Sequence, residues 1–145
     1  MKRWMKLISS ALLLVFLFAL PAVSASDADK EQAAVTAAED FLALVDAADY
    51  TQSWDMTAQF FKQKVSKENW IKEIGVLRPK SKSLVERKLR SAEYSKSESV
   101  PGIPDGEYVV IVFDTIFADK QGAIEIVTPT LEPDGHWRVS GYFVR

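Results

Sequence analysis

The sequence predicts an α+β fold in which three N-terminal helices pack on one face of an antiparallel sheet of four strands. Over residues 26–80, apolar side chains recur at three- and four-residue intervals, which is the spacing of amphipathic helices. From Lys80 onward, segments rich in β-branched and aromatic residues are separated by short turns, which is typical of hairpins. Helices followed by strands favour two separate layers.

Three helices account for the first half of the chain. The first is predicted to have its first turn around Asp27 and Asp29, because these acidic residues can cap and charge it. Its apolar stripe consists of Ala34, Ala38, Phe41, Val45 and Ala48. A second helix is predicted over residues 50–64. Ser66 is a good N-cap for a third, which should end near Arg78 because Pro79 disfavours helical geometry in the residue before it.

Four strands are predicted in the second half, over residues 83–95, 108–117, 123–131 and 137–144. The connection at residues 99–106 is dense in turn-forming residues. Short loops at residues 119–122 and at Asp134-Gly135 predict antiparallel hairpins.

Alternation predicts which sheet face packs against the helices. The odd positions of the second strand carry no charge, and they are Val109, Ile111, Phe113, Thr115 and Phe117. A two-residue turn at Asp134-Gly135 places further uncharged residues on the same face, namely Ile124, Ile126, Thr128, Thr130, Trp137, Val139, Gly141 and Phe143. The same register puts Asp114, Glu125 and Arg138 on the opposite, outer face.

The outer face is then mixed, because it also carries apolar side chains. Its predicted members are Tyr108, Val110, Val112, Asp114, Glu125, Val127, Arg138 and Tyr142. This apolar area predicts a protein partner or a homodimer formed through the outer face.

Residues 1–25 have the three parts of a secretory signal peptide: a basic start, an apolar run and a small-residue end, with cleavage expected after Ala25. The apolar run from Leu7 to Leu20 holds 14 residues, whereas a membrane-spanning helix needs about 20. We therefore expect residues 26–145 to form a single globular domain without a membrane span, located in the periplasm or secreted.

Composition excludes several functions for this domain. Removing the three basic residues of the first 25 from a net charge of −2 leaves −5, so no basic surplus remains for nucleic acid. The chain has no cysteine and one histidine, His136, which excludes a cysteine nucleophile and zinc sites built on His and Cys. His136 adjoins a turn and is expected to face solvent. No nucleotide-binding or H-E-x-x-H motif is present, and no cofactor or metal is expected.

Six residues are candidates for lining a ligand pocket between helices and sheet: Trp54, Arg87, Phe113, Thr115, Thr128 and Trp137. Arg87 would share an inward strand face with Val85 and Leu89, and a buried arginine needs an acid partner or an anionic ligand. The alternative for Arg87 is an internal ion pair with Asp46 or Asp49. The alternative for the aromatic residues is that they fill the core.

Three functions remain open at the level of sequence. The first is a non-enzymatic domain that binds a small apolar or weakly anionic ligand, or a protein partner, in the cell envelope. The second is an isomerase- or hydratase-type enzyme, with Asp46, Asp49, Asp114 or Glu125 as proton shuttle and Arg87 or a tyrosine hydroxyl as electrophile. The third is a structural or stress-related envelope accessory protein.

The chain resembles the bacterial family known as domain of unknown function 4019 over about residues 33–144. The segments that carry the resemblance are 41–46, Tyr50, 53–54, 61–62, 65–66, Trp70, 87–89, 101–108, 117–120, Glu125 and 134–142. Residues 78–82 depart from the family, which tends to have Pro-Leu-Gly there. The resemblance implies an exported protein with a fold similar to nuclear transport factor 2, in which a curved sheet wraps against helices around a cone-shaped cavity. It implies no function.

Overall fold

The computed structural model describes residues 24–78 and 83–145, and it contains four helices and an open, curved antiparallel sheet. The helices are α1 (Asp27–Asp46), α2 (Tyr50–Asp55), α3 (Gln59–Lys64) and α4 (Lys67–Leu77). The strands are β1 (Leu84–Ser97), β2 (Gly106–Phe117), β3 (Lys120–Leu131) and β4 (Trp137–Val144), paired in the order β1-β2-β3-β4. The predicted α+β class is confirmed. Residues 1–23 of the expected signal peptide and the divergent segment 79–82 lie outside the described residues.

Local signals set the ends of α1 and α4. The Ser26 hydroxyl accepts the N–H of Asp29, and the Asp29 carboxylate accepts the N–H of Ser26, which forms a capping box. Ser66 caps α4 as predicted, and α4 ends at Leu77. Ala48 was expected on the α1 stripe, but α1 ends at Asp46 and Ala48 turns the chain with a φ of 56°.

The single helix predicted over residues 50–64 is wrong, because the chain forms α2 and α3 with an extended break between them. The break pairs with β4: the Ala58 N–H donates to the Val139 carbonyl at 2.8 Å, and the Val139 N–H donates to the Met56 carbonyl at 3.2 Å. A tertiary strand contact therefore overrides the local helical pattern. The described part of the chain thus has four helices, one more than predicted.

The inner face of the sheet is confirmed for β2 and wrong for β3. All five predicted inner residues of β2 are buried. On β3 the buried residues are Ala123, Glu125, Val127 and Pro129, so Ile124, Ile126, Thr128 and Thr130 lie on the outer face. An irregularity between Thr115 and Phe117 shifts the β2–β3 register by one residue, which reverses the faces of β3.

A second irregularity in strand pairing changes which side chains of β4 face inward partway along the strand. It lies between Thr128 and Pro129 in the β3–β4 pairing. Trp137 and Val139 lie on the inner side as predicted, but Tyr142 is buried and Phe143 is exposed, the reverse of their predicted places. Gly141 pairs with Thr128 on the outer face.

Strand β1 forms one edge of the sheet and is irregular along its length. Register shifts occur between Leu84 and Glu86 and between Leu89 and Ser91. The backbone N–H of Tyr94 donates to the Glu31 carboxylate of α1 at 2.9 Å. Within the described residues, no helix has the length and apolar character needed to cross a membrane.

Candidate functional site

Two carboxylates and two arginines meet between the helices and the inner sheet face. Asp46 ends α1, Arg78 follows α4, Arg87 lies on β1 and Glu125 lies on β3. Glu125 is 0% exposed and Arg78 is 2% exposed. These four residues are called the buried ion cluster, and their formal charges sum to zero.

Glu125 is the centre of the buried ion cluster. One carboxylate oxygen, Oε1, accepts from Arg78 Nη1 at 2.7 Å and from the Tyr142 hydroxyl at 2.5 Å. The other, Oε2, accepts from Arg87 Nε and from the Thr115 hydroxyl, each at 2.7 Å. Four donors occupy the lone pairs of this carboxylate. Glu125 is therefore fully engaged as an acceptor.

Asp46 completes the cluster from the helical layer. Its carboxylate accepts from Arg87 Nη1 at 2.7 Å and also from Arg78. A negative charge in the last turn of a helix is unfavourable, because the carbonyl end of the helix dipole is itself negative. The two guanidinium groups offset this repulsion and tie the end of α1 to the sheet.

Arg78 makes further contacts beyond its two ion pairs. The group lies 4.2 Å above the centre of the Phe117 ring, and the Arg78 carbonyl accepts from the Tyr50 hydroxyl. Arg78 Nε is buried and has no hydrogen-bond partner among the described residues.

The pKa shifts of Arg87 and Tyr142 keep each of these two groups in one protonation state near neutral pH. Burial lowers the pKa of Arg87, but hydrogen bonds and charge from Asp46 and Glu125 outweigh it and raise that pKa. Burial, together with the charge of Glu125, raises the pKa of Tyr142 well above its ordinary value. Tyr142 therefore stays protonated near neutral pH and donates to Glu125.

The carboxylates considered as proton shuttles are all engaged in the structure. Asp46 and Glu125 hold arginines, Asp49 caps α2 by accepting the Gln52 N–H at 3.1 Å, and Asp114 is exposed and paired with Arg90. The Arg90 hydrogen bond lowers the pKa of Asp114. Asp114 and Glu125 lie on opposite faces of the sheet, so they form no carboxylate pair.

A second feature is a groove of about 610 Å³ on the outer face, called the outer groove. Its apolar wall includes Phe60, Val100, Ile103, Tyr108, Val110 and Phe143. Its polar members are Ser95, Lys96, Ser97, Thr128 and Ser140. The loop 98–105 forms one side, and the Tyr108 hydroxyl holds it by donating to the Pro104 carbonyl at 2.8 Å.

The six candidate pocket residues fall in four places. Arg87 and Thr115 meet at Glu125, and the ion pair between Arg87 and Asp46 is the alternative that the sequence left open. Phe113 lies in the packed core, and Thr128 lines the outer groove.

The two tryptophans among the candidates lie at the margins of the core. The Trp54 ring lies about 5 Å from the ammonium groups of Lys62 and Lys67, and its indole N–H donates to the Val65 carbonyl. Trp137 packs against the core and lines a shallow hollow beside α1 together with His136, which is exposed as expected.

Sequence reasoning missed Arg78, Tyr142 and the inward direction of Glu125. Arg78 has no strand alternation to reveal its direction, because it follows the last turn of a helix. Tyr142 and Glu125 were assigned to the wrong face, because irregular strand pairing changes the alternation of side chains between the two faces of the sheet. One signal in the sequence could have indicated the direction of Glu125. A buried Arg87 needs an acidic partner, and Glu125 lies on another strand of the same sheet.

Comparison with known proteins gives a family without an assigned activity. A family described as a protein of unknown function (DUF4019) matches residues 37–142. Neither the curated proteins nor the solved structures include a significant match. Over the described residues, no group of three or more His, Asp or Glu side chains is placed to hold a metal ion.

The buried ion cluster predicts a large stability cost for Glu125→Gln. The variant keeps the side-chain size but leaves two buried arginines without their shared anion, so we expect a loss of about 3–5 kcal/mol in the free energy of unfolding. Denaturant unfolding followed by circular dichroism measures this loss. Asp114→Asn is the matched control, since it removes an exposed ion pair from the same sheet and should change stability far less. Equal losses in the two variants would contradict a central role for the cluster.

Proposed function

The chain belongs to the DUF4019 family of proteins of unknown function, and from its own surface we propose that it is a non-enzymatic binding domain whose outer groove takes a small apolar ligand. The observation that carries this proposal is the outer groove itself. Its volume lies within the roughly 300–1,000 Å³ range of small-molecule sites, and its walls are mainly apolar with a few polar groups.

The interior of the domain supports the same choice of site. The space between helices and sheet holds the packed core around Phe41, Trp70 and Tyr142, whose neighbouring ring centres lie 5.6–5.9 Å apart, together with the buried ion cluster. Apolar side chains on the outer face instead remain open to solvent, and Phe143 is 66% exposed. Covering them with an apolar ligand is favourable.

Binding of the uncharged fluorescent dye Nile red tests the proposal. Val110→Ser, in the groove wall, should weaken dye binding several-fold because it removes apolar contact area. Leu89→Ser is the matched control: Leu89 is 50% exposed against 40% for Val110 and lies outside the groove, so its loss should leave binding unchanged. Equal effects of the two substitutions would argue against the outer groove as the site.

A second candidate function is homodimer formation through the outer face. The observation that favours it is that apolar side chains continue past the groove along the middle strands, at Val112, Ile124 and Ile126. The outer face spans four strands at about 4.8 Å spacing and about 12 residues of length, or roughly 600–800 Å², which is comparable to the area per partner in stable dimers.

Sedimentation equilibrium separates the two candidates. A dimer through the outer face should dissociate in Ile126→Ser, because Ile126 lies on this face but is not part of the groove wall. Val85→Ser, an exposed apolar residue at the irregular edge of β1, serves as the control and should leave the dimer intact. A wild-type protein that stays monomeric at high concentration removes the dimer.

We also propose that residues 1–25 direct export and are cleaved after Ala25, which would place the domain in the periplasm or outside the cell. The capping box at Ser26 is compatible with this boundary: the Ser26 nitrogen lies 3.0 Å from the Asp29 carboxylate, which could accept a charge-assisted hydrogen bond from a new α-ammonium group. Intact-mass measurement of the protein made in a bacterium should give Ser26 as the first residue. Ala25→Trp should block processing, since cleavage needs a small residue there. A wild-type product that keeps Met1 would contradict the proposal.

A further inference from the structure

We propose that the hollow beside α1 binds a small organic cation, an ammonium group substituted with methyl or similar apolar groups. This hollow, called the α1 hollow, has a volume of about 340 Å³, and its main lining residues are Ala33, Thr36, Ala37 and Asp40 of α1 with His136 and Trp137 beside the β3–β4 turn. It lies on the helix side of the sheet, so this second site goes beyond the function proposed for the outer groove.

The geometry of α1 and β4 directs side chains into the α1 hollow from two sides. The lining residues of α1 follow one another at three- and four-residue steps, so they share one face of the helix, next to its buried stripe. Trp137 lies on the helix-facing side of β4 together with the buried Val139, two residues further on, and it packs against the margin of the core. The small side chains of Ala33 and Ala37 leave space between the helix and Trp137.

The charge of the α1 hollow is negative and unbalanced. Asp40 makes no ion pair with any residue that the structure describes. No lysine or arginine in the described part of the chain lines the hollow, and Asp134 in the neighbouring turn already pairs with Arg138 at 2.8 Å. With His136 neutral, the lining therefore carries one negative formal charge.

The Trp137 ring is a second feature that favours a cation. Two other aromatic rings, those of Trp54 and Tyr94, each have a lysine ammonium group within 5.0 Å of the ring centre. Among the described residues, no lysine or arginine takes that position at Trp137. Because an indole ring attracts cations, a carboxylate and an unoccupied indole in one hollow complement an organic cation.

A metal ion suits the α1 hollow less well than an organic cation does. Calcium and magnesium ions need several oxygen ligands, and the structure places no group of three or more acidic or histidine side chains to hold a metal within the residues it describes. A methylated ammonium group needs only a nearby anion and an aromatic surface, because its methyl groups donate no strong hydrogen bonds.

An NMR titration with choline tests the inference. Choline should shift the indole N–H signal of Trp137, whereas the signals of Trp54 and Trp70, whose N–H groups donate to Val65 and Ser53, should stay in place. The alcohol in which a carbon atom replaces the nitrogen of choline has the same shape without the charge, and it should bind about tenfold more weakly. Sodium chloride at the same ionic strength should not shift the Trp137 signal.

Two pairs of variants on α1 locate the site. Asp40→Asn should weaken choline binding several-fold without changing the binding of the neutral alcohol, and Glu39→Gln, which removes a neighbouring exposed carboxylate outside the hollow, is its matched control. Ala37→Leu should fill the hollow and block both compounds. Ala43→Leu is its control, because Ala43 is exposed on the same helix but lies outside the hollow.

Four results would overturn the organic cation site. These are an unchanged Trp137 signal in wild-type protein, equal binding of choline and the neutral alcohol, equal effects of Glu39→Gln and Asp40→Asn, and undiminished binding to Ala37→Leu protein with native circular dichroism. All four variants lie outside the outer groove, so Nile red binding should be the same in each of them. Failure of the cation site therefore leaves the proposal for the outer groove standing.

Discussion

The fold is organised around a carboxylate, Glu125, that lies at the centre of the molecule with no access to water. A buried carboxylate is costly unless its charge is matched and its lone pairs are filled, and here Arg78, Arg87, Tyr142 and Thr115 do both. These partners come from the end of α4 and from β1, β2 and β4, the three strands other than the one that carries Glu125. Displacing β1 would leave part of this charge unmatched, and displacing β2 or β4 would remove a hydrogen bond to it, so the cluster favours one arrangement of the layers.

The cluster also explains why the two faces of the sheet differ. Helices cover the inner face, and the space beneath them is filled by aromatic side chains and ion pairs that satisfy one another. Few polar groups in that space are therefore free to bind a ligand. None of the helices in residues 24–78 and 83–145 crosses the middle of the outer face, and its apolar side chains and the loop 98–105 form a groove there. The site proposed for an apolar ligand therefore lies on the face opposite the helices and not between the two layers.

Local sequence signals predicted the parts of the fold that depend on neighbouring residues. Ser66 and Pro79 marked the limits of α4, and the uncharged odd positions marked the inner face of β2. The predictions that were wrong concern features that depend on contacts between residues far apart in the sequence. The break between α2 and α3 exists because Ala58 pairs with Val139, and the side of the sheet on which Glu125 lies depends on one extra residue in the β2–β3 pairing. Arg87 was predicted to need an acid, but only tertiary structure brings Arg78 to the same carboxylate.

The irregular edge of β1 has a consequence for how the domain can associate. A long, regular edge strand offers unpaired backbone groups on which further chains can add strands without limit, which is a route to fibrils. Two register shifts interrupt this edge, several charged side chains lie along it, and Glu31 already accepts the N–H of Tyr94. The edge of β1 therefore resists the open-ended addition of further strands, while the apolar side chains of the outer face remain accessible.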